Sequence, residues 1–411
     1  MFPAYRDFGP RVGFAWRVLG SSKLSFRGAY GIFYAPEIIN SFRNLGFQNP
    51  FGATYSLTVR PANANAPVPE FSVDNPIAGA SALVTTNNVN GIDPHFKDAS
   101  VGEWNLTAQY LFSPSTMLEV AYRGSKSTHL SSFLDYNQTN PNPPQPPGFA
   151  LIYPWPQFGS ARILKSNGDS LYNALQARVE KRYSKGFTIL GSYTWLKDLS
   201  DVAATSVGVS ASPGNSFFPQ DVHNLAANRG NAVGDRPQQL VISAVWDIPL
   251  FKDHSSWEGR LLGGWQVSGT YTAALGSWLT PGSYGISYVG SRPNYLCDPN
   301  LPRSQRTITA HFKVSCLANP APGQMGNAGT GTIQGSGINL WNSGFMKRFR
   351  VRERHYVQFR AEFFNLFNHP QFDDPYVYPG NNPQAGKITS ASDYGYNPSE
   401  RIIQFGLKYN F

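Results

Sequence analysis

The residues best suited to chemistry are two pairs of carboxylates, Asp198 with Asp201 and Asp373 with Asp374. Carboxylate oxygens are the ligands that hard cations prefer, so either pair could begin a cation site in a loop. Both pairs lie among turn-forming residues, where carboxylates are usually solvated, and we favour that interpretation. The chain contains no Gly-x-Ser-x-Gly, His-Glu-x-x-His or phosphate-binding glycine motif, and its seven histidines are dispersed. We therefore expect no catalytic site, no metal site and no cofactor.

The two cysteines, Cys297 and Cys316, lie in one loop-like region. Two nearby cysteines in an otherwise cysteine-free chain fit a single disulfide that closes a loop in an oxidising compartment. Two free thiols fit the sequence equally well, and both alternatives stay open. No metal-binding spacing accompanies the pair.

The last residues of the chain, from Arg401 to Phe411, alternate between two kinds of side chain. One set of alternate positions is wholly apolar: Ile403, Phe405, Leu407, Tyr409 and Phe411. This period indicates a β-strand with one apolar and one mainly polar face. A strand between lipid and water has this pattern, and so does a strand packed on the core of a soluble sandwich. A soluble protein seldom leaves so apolar a strand at an unprotected edge.

The composition favours strands and loops over helices. Charged residues make up 14% of the chain, whereas soluble domains contain about 25%. The 39 glycines and 32 prolines indicate many turns. No stretch approaches about 18 unbroken apolar residues, which excludes a transmembrane helix but not transmembrane strands. The net charge of +9 is scattered over alternate strand positions, so we expect no nucleic-acid partner.

Alternating runs of ten or more residues recur along the whole chain, and we count about eleven of them. The connections between these predicted strands are alternately short and long. The long connections cover residues 36–98, 127–168, 197–236, 276–335 and 369–398. Antiparallel strands joined in this way place all short turns at one end and all long loops at the other. The sequence thus predicts an antiparallel, all-β transmembrane barrel with short periplasmic turns and long extracellular loops.

In such a barrel the polar face of each strand lines the lumen. Charged residues at alternate positions of two runs are candidates for this lining: Arg178, Glu180, Arg182, Arg360 and Glu362. Charge is costly toward lipid and cheap toward a wet lumen. These side chains could line a permeation path, or they could simply be solvated there, and both interpretations stay open.

An odd number of strands raises a problem of closure. The first and last of eleven antiparallel strands run in the same direction, and bacterial single-chain barrels avoid a parallel junction. The chain also starts without the features of a signal peptide. We therefore expect residues 1–411 to be the C-terminal portion of a larger barrel. A missed strand in the first or fourth long connection is the alternative.

Several stretches follow the residue order of one known family: Arg11–Trp16, Arg27–Tyr34, Ala177–Gly186, Ser192–Asp198, Gly264–Gly269 and Arg360–Phe372. Together they resemble Oar-like TonB-dependent outer-membrane transporters, and the last stretch resembles the signature of the penultimate strand. The resemblance covers most strands and keeps the family's order. It implies a 22-stranded barrel, an internal plug, a TonB box and uptake driven through TonB. This chain departs from that pattern, since it lacks a plug, a TonB box and an N-terminal domain. The resemblance also implies that Phe411 is the C-terminal signal that the outer-membrane assembly machinery reads.

The leading hypothesis is a non-catalytic barrel that takes part in ligand uptake. Its expected partners are outer-membrane lipid and lipopolysaccharide, the missing N-terminal barrel and plug portion, and the assembly machinery. TonB would act only through that missing portion. The alternatives are a structural or adhesive outer-membrane barrel and a non-functional fragment of a transporter gene.

Overall fold

The computed structural model describes most of the chain, with gaps that fall mainly in the long connections. The described ranges are 7–18, 20–21, 23–36, 87–138, 153–202, 219–251, 256–283, 291–321, 324–351, 355–379, 382–391 and 399–411. Strands dominate these ranges, and one short α-helix is present in them. No helix in the described ranges is long and apolar enough to cross a membrane.

Seventeen strands and the helix follow one another along the chain. They are β1 (Arg11–Arg17), β2 (Leu24–Ala35), β3 (Asn87–Ile92), β4 (Ala99–Ser113), β5 (Thr116–Asp135), β6 (Phe158–Ser184), β7 (Phe187–Ser200), β8 (Gly230–Asn231), β9 (Gln238–Asp247), α1 (Trp257–Leu262), β10 (Trp265–Ala274), β11 (Trp278–Leu279), β12 (Asn294–Tyr295), β13 (Leu317–Ala318), β14 (Ile333–Gln334), β15 (Ile338–Arg350), β16 (Tyr356–Phe364) and β17 (Ile402–Asn410), within the described residues.

Eleven of these strands form one continuous antiparallel path, β1-β2-β4-β5-β6-β7-β9-β10-β15-β16-β17. The count of eleven and the antiparallel order confirm the prediction from alternation. In the described part of the chain, β1 pairs with β2 alone and β17 with β16 alone. The sheet is therefore open, and its first and last strands run in the same direction.

The connections sort by length as predicted. Hairpins such as Ser113↔Thr116 and Ser184↔Phe187 close one end of the sheet, and the long connections lie at the other end. The connection between β9 and β10 was predicted as a modest turn, but it also contains α1, where the Ser256 hydroxyl accepts the Gly259 amide at 3.0 Å. The predicted turn residues 252–254 and 352–354, like most of the first long connection, lie outside the described residues.

The prediction of a loop over residues 127–168 is wrong in part. Strands β5 and β6 continue far into it, and they remain paired from Leu130↔Gly168 to Asp135↔Arg162. These extensions contain five serines, and their apolar residues do not keep to alternate positions, so alternation could not reveal them. The strand missed in the first long connection is β3, which pairs in parallel with β6 and lies off the main path.

Direct pairing keeps one face of the sheet mainly apolar and the other mainly polar. On one face, a row across six strands joins Phe14, Gly28, Leu106, Tyr122, Leu175 and Trp195. On the other face, a row across six strands joins Ser25, Gln109, Glu119, Arg178, Ser192 and Val241. Paired residues point to the same side of an antiparallel sheet, so the alternation along each strand extends across the whole sheet.

Two glycines of the apolar face make room for aromatic rings on neighbouring strands. A Cβ atom on Gly28 would lie 2.5 Å from the Phe14 ring, and one on Gly124 would overlap the Trp104 indole. Each ring thus covers the backbone of the neighbouring strand. A flat glycine position under an aromatic residue helps to fix the register of a sheet.

The connection between β10 and β15 is a small folded unit. Phe312, Leu317 and Ile333 form its buried core. Strand β11 pairs with β14, strand β12 pairs with β13, and a disulfide joins Cys297 to Cys316 beside the second pair. At the base, the Gly335 amide donates to the Ser277 carbonyl oxygen at 2.7 Å.

Replacing Cys316 with Ser should loosen this unit and leave the main sheet intact. A disulfide that closes a loop of this length stabilises by about 3 kcal/mol. Limited proteolysis of the folded full-length protein should therefore cut within 291–321 faster in Cys316→Ser than in the wild type. Equal cleavage rates, or loss of the folded sheet itself, would contradict this assignment.

Candidate functional site

The apolar face of the sheet is exposed on most of its strands, from β1 to β17. Leu407 is 75% exposed, Phe405 68%, Trp195 57% and Phe14 56%. A contiguous apolar surface of this extent exceeds what soluble monomers present to water. Since its counterpart on the other face is polar, the sheet has the two-sided character of strands that separate lipid from a wet interior.

Lys347 is a charged exception on the apolar face, and the sequence analysis missed it. The residue is opposite Trp265 and Phe359 and is only 1% exposed. Its Nζ donates to the Gly263 carbonyl oxygen at 2.8 Å and lies 4.9 Å from the centre of the Phe349 ring. The turn after α1 therefore covers this ammonium group, which removes it from the apolar surface.

The polar face carries three of the predicted charged residues as one cluster on β6. Arg178 Nη2 lies 2.8 Å from Glu180 Oε2, and Arg182 Nε lies 3.6 Å from Glu180 Oε1. The row continues through Glu119, which is opposite Arg178 and accepts the Gln109 amide at 2.5 Å. Each carboxylate thus contacts at least one donor, and the row forms a polar surface with both signs of charge.

The other two predicted charged residues lie on the same face, far along the sheet. Arg360 is opposite Met346 and Gly406, and Glu362 is opposite Gly344 and Gln404. Glu362 lines a shallow cavity together with its neighbours on β16 and with residues of β9, β10 and β15, among them Ser243, Ser268 and Gly344. The five predicted residues therefore share a face, but they form two separate groups.

The described parts of three long connections are joined by hydrogen bonds into one layer, called the loop layer. Gln138 donates to the Pro219 carbonyl oxygen at 3.2 Å and accepts the Val222 amide at 3.0 Å. Gln220 in turn donates to the Gly326 carbonyl oxygen at 2.8 Å. These buried glutamines tie the β5–β6, β7–β9 and β10–β15 connections together. The roles of these glutamines are not predictable from the sequence, since nothing in a loop sequence indicates which segment an amide will contact.

The β16–β17 connection joins the same layer through Asp374. Its Oδ1 accepts the Ser336 amide and its Oδ2 accepts the Ser277 hydroxyl, both at 2.9 Å. The adjacent Asp373 accepts the Ser390 hydroxyl at 2.5 Å. Among the described residues no three His, Cys, Asp or Glu side chains are placed to hold a metal ion. Asp373 and Asp374 therefore act as loop ties in this structure.

A second carboxyl pair lies where β7 enters its long connection. The Asp198 carboxylate accepts the Ser170 hydroxyl at 2.7 Å, and Asp235 lies beside it. Burial, and then the negative charge of Asp198, raise the pKa of Asp235 to about 6. Asp201, which the sequence analysis grouped with Asp198, instead accepts the Asp169 amide at 2.6 Å. The group that comes close to Asp198 is thus Asp235, at the far end of the same long connection.

These features agree with one protein family. The family model described as "Outer membrane beta barrel domain" matches residues 1–404. The chain belongs to this family. Its place is therefore the bacterial outer membrane, and the exposed apolar face is the lipid-facing surface of an outer-membrane β-barrel domain. A search of curated proteins found no match.

Solved structures of similar fold are larger than this domain. The outer membrane transporter YddB from Escherichia coli matches with a TM-score of 0.51 and 9% identity, over 98% of this chain and 40% of YddB. The siderophore receptor PiuA from Acinetobacter baumannii matches with a TM-score of 0.45 and 9% identity, over 98% of this chain and 35% of PiuA. The chain spans less than half of each structure. The YddB match shows a shared fold, and no argument rests on the weaker one.

The last predicted site residue, Phe411, directly follows β17 and is 92% exposed. Its ring stacks on Tyr409 at 6.2 Å, and the Tyr409 hydroxyl lies 2.7 Å from His355 Nδ1. Because Tyr356 is opposite Asn410, Phe411 lies at the end of the barrel domain that carries the short connections.

The lipid-facing surface should reject charge at the middle of β17. Leu407→Arg places a cation toward lipid, which costs about 2–4 kcal/mol near the bilayer midplane. The matched control Gln404→Arg places the same charge on the polar face and should assemble like the wild type. Heat-modifiable mobility of outer-membrane fractions from the full-length protein measures the folded fraction. Equal assembly of both variants would contradict the orientation of the faces.

Asp235 should make the loop layer sensitive to pH. The pKa of about 6 in the folded protein exceeds that of an unfolded aspartate, about 4. The folded form therefore binds the proton more tightly, and the layer loses stability as pH rises through this window. Asp235→Asn should abolish that loss and protect residues 219–237 more than the wild type at pH 7.5. Hydrogen exchange at pH 5 and pH 7.5, corrected for the intrinsic rate, measures this.

Asp221→Asn is the control, since it removes a carboxylate from the same connection and leaves the Asp198–Asp235 pair untouched. This control should keep the pH dependence of the wild type. A flat profile in the wild type would contradict the raised pKa of Asp235.

Proposed function

We propose that the chain is the C-terminal part of the barrel of an Oar-like TonB-dependent transporter, which imports a ligand without catalysis. The observation that carries this proposal is the open sheet of eleven antiparallel strands with a free edge on both sides, within the described residues. The YddB match, which covers 98% of this chain but 40% of YddB, supports the same view. The resemblance of the strand motifs to the Oar-like family supplies the finer assignment.

The direction of the edge strands limits what can complete the barrel. Strands β1 and β17 run in the same direction, so joining them directly would make a parallel pair. Unpaired backbone groups are costly in lipid, so both edges need partners. Only an odd number of additional strands can pair with both edges in antiparallel fashion. Eleven more strands would give the 22 that the resemblance implies, and an N-terminal portion of the same protein would supply them together with the plug.

The two faces of the sheet and the loop layer would have different functions in transport. Arg178, Glu180 and Arg182 would line one part of the permeation wall, and Arg360 and Glu362 another, where they would contact the plug. The tied long connections would lie outside the cell and select the ligand, since function concentrates on loops over a rigid scaffold. Lipid and lipopolysaccharide would contact the apolar face. The assembly machinery would read Phe411, and TonB would act through the N-terminal portion.

Uptake can be tested without knowing the ligand. Spent medium from the wild type, from a strain lacking the full-length gene and from a strain lacking TonB is compared by mass spectrometry. We expect at least one solute that the wild type depletes and both deletion strains leave behind. If the strain that lacks the full-length gene depletes every solute as the wild type does, the transporter proposal is wrong. If that strain also attached poorly to surfaces, the adhesive alternative would be favoured.

A further inference from the structure

A cavity of about 390 Å³ lies inside the loop layer, between the β7–β9 and β10–β15 connections. Amide side chains and glycines form most of its walls, including Gln220, Asn224, Gln324, Asn327 and Gly326. Two charged residues complete them, Asp221 and Arg292. The lining also includes Ala227, Met325 and Ala328, so it offers a small ligand both hydrogen-bonding groups and apolar contacts.

Arg292 is the unusual member of this lining. It is only 4% exposed. Its Nη1 donates to the Thr330 hydroxyl at 2.7 Å and its Nη2 to the Ala227 carbonyl oxygen at 3.3 Å. Its Nε is buried without a hydrogen-bond partner among the described residues. A guanidinium group has five N–H donors, so this group has unused hydrogen-bonding capacity.

The positive charge of Arg292 also lacks compensation. No carboxylate in the described part of the chain lies within ion-pair distance of its guanidinium. Burial is the main influence on the group and lowers the pKa of Arg292. A buried charge is costly unless it is paired. An anionic ligand would provide the missing partner.

A second donor beside this arginine lacks a partner. Asn228 follows Ala227, the residue whose carbonyl oxygen Arg292 contacts, and Asn228 is 7% exposed. Its Nδ2 is buried, and no described residue accepts a hydrogen bond from it. Buried donors without acceptors are rare in native proteins, and each indicates a missing acceptor such as a ligand oxygen or a water. Asn228 does not line the cavity, which leaves Arg292 as the charged donor that the cavity itself presents.

We propose that this cavity binds a small ligand through a single carboxylate group held by Arg292. A planar carboxylate matches the fork of one guanidinium group. A phosphate dianion fits less well, because Asp221 adds a negative charge to the same cavity. Amide groups on the other walls would hold neutral hydroxyl or amide groups of the ligand. As a subsite for the imported solute, this assignment rests on the proposed function, whereas the binding itself does not require transport.

The test is a ligand-observed NMR titration of the full-length protein in detergent. N-acetylglycine is the probe, and N-acetylglycinamide is its neutral counterpart. We expect the acid to bind and the amide not to bind. Arg292→Gln should weaken binding of the acid by about tenfold or more, because it removes the charged hydrogen-bond donor that holds the carboxylate. Inorganic phosphate should bind more weakly than the acid.

Asp221→Asn is a second variant, which keeps the test decisive if Arg292→Gln disturbs the loops. The Asp221 side chain accepts the neighbouring His223 amide at 2.8 Å, and an asparagine oxygen can accept it too. Removing the nearby negative charge should tighten binding of the acid by about two- to fivefold. Folding of each variant is checked by heat-modifiable mobility.

Four results would overturn the proposal. They are equal binding of acid and amide, full binding by a folded Arg292→Gln variant, tighter binding of phosphate than of the acid, and no gain in Asp221→Asn. None of them bears on transport, because the uptake comparison uses deletion strains. Loss of uptake in those strains together with any of these results would leave the transporter proposal standing and remove the carboxylate subsite.

Discussion

Backbone hydrogen bonding is the constraint on which the rest of this domain depends. In lipid, no water is available to satisfy amide and carbonyl groups, so every strand needs a neighbour on both sides. Nine inner strands of the main path meet this requirement within the described chain, and β1 and β17 meet it on one side. The two-sided pattern of side chains follows from the same geometry, since pairing transmits one face across all eleven strands.

The two faces of the sheet tolerate exceptions only with local compensation. Lys347 lies on the apolar face because the Gly263 carbonyl oxygen and nearby aromatic rings cover its ammonium group. Phe14 covers the glycine opposite it in place of a side chain. On the polar face, charge needs no such cover. There, Arg178 and Arg182 both form ion pairs with Glu180. A charge introduced on the apolar face therefore needs a neighbouring group to cover it, whereas a charge on the polar face does not.

The sequence predicted what a regular period can encode. Alternation located the strands, assigned Arg360 and Glu362 to the polar face and ordered the connections by length. It failed where the period ends: the extensions of β5 and β6 have polar residues on both faces, and β3 is short and lies in a loop. The partners of Gln138 and Gln220 in other connections are from 72 to 106 residues away along the chain, and no local pattern specifies them. The contact between Asp198 and Asp235 could not be predicted for the same reason, because only the folding of the β7–β9 connection brings the two side chains together.

The connection between β10 and β15 has a consequence for how barrels of this kind can diversify. It has its own core and disulfide, and its two ends meet at the Gly335–Ser277 hydrogen bond above two paired strands. It is also tied to its neighbours, since Gln220 donates to the Gly326 carbonyl oxygen and Asp374 accepts the Ser277 hydroxyl and the Ser336 amide. Recombination that exchanges this segment between barrels would leave the lipid-facing surface unaltered, but it would have to bring the neighbouring connections with it.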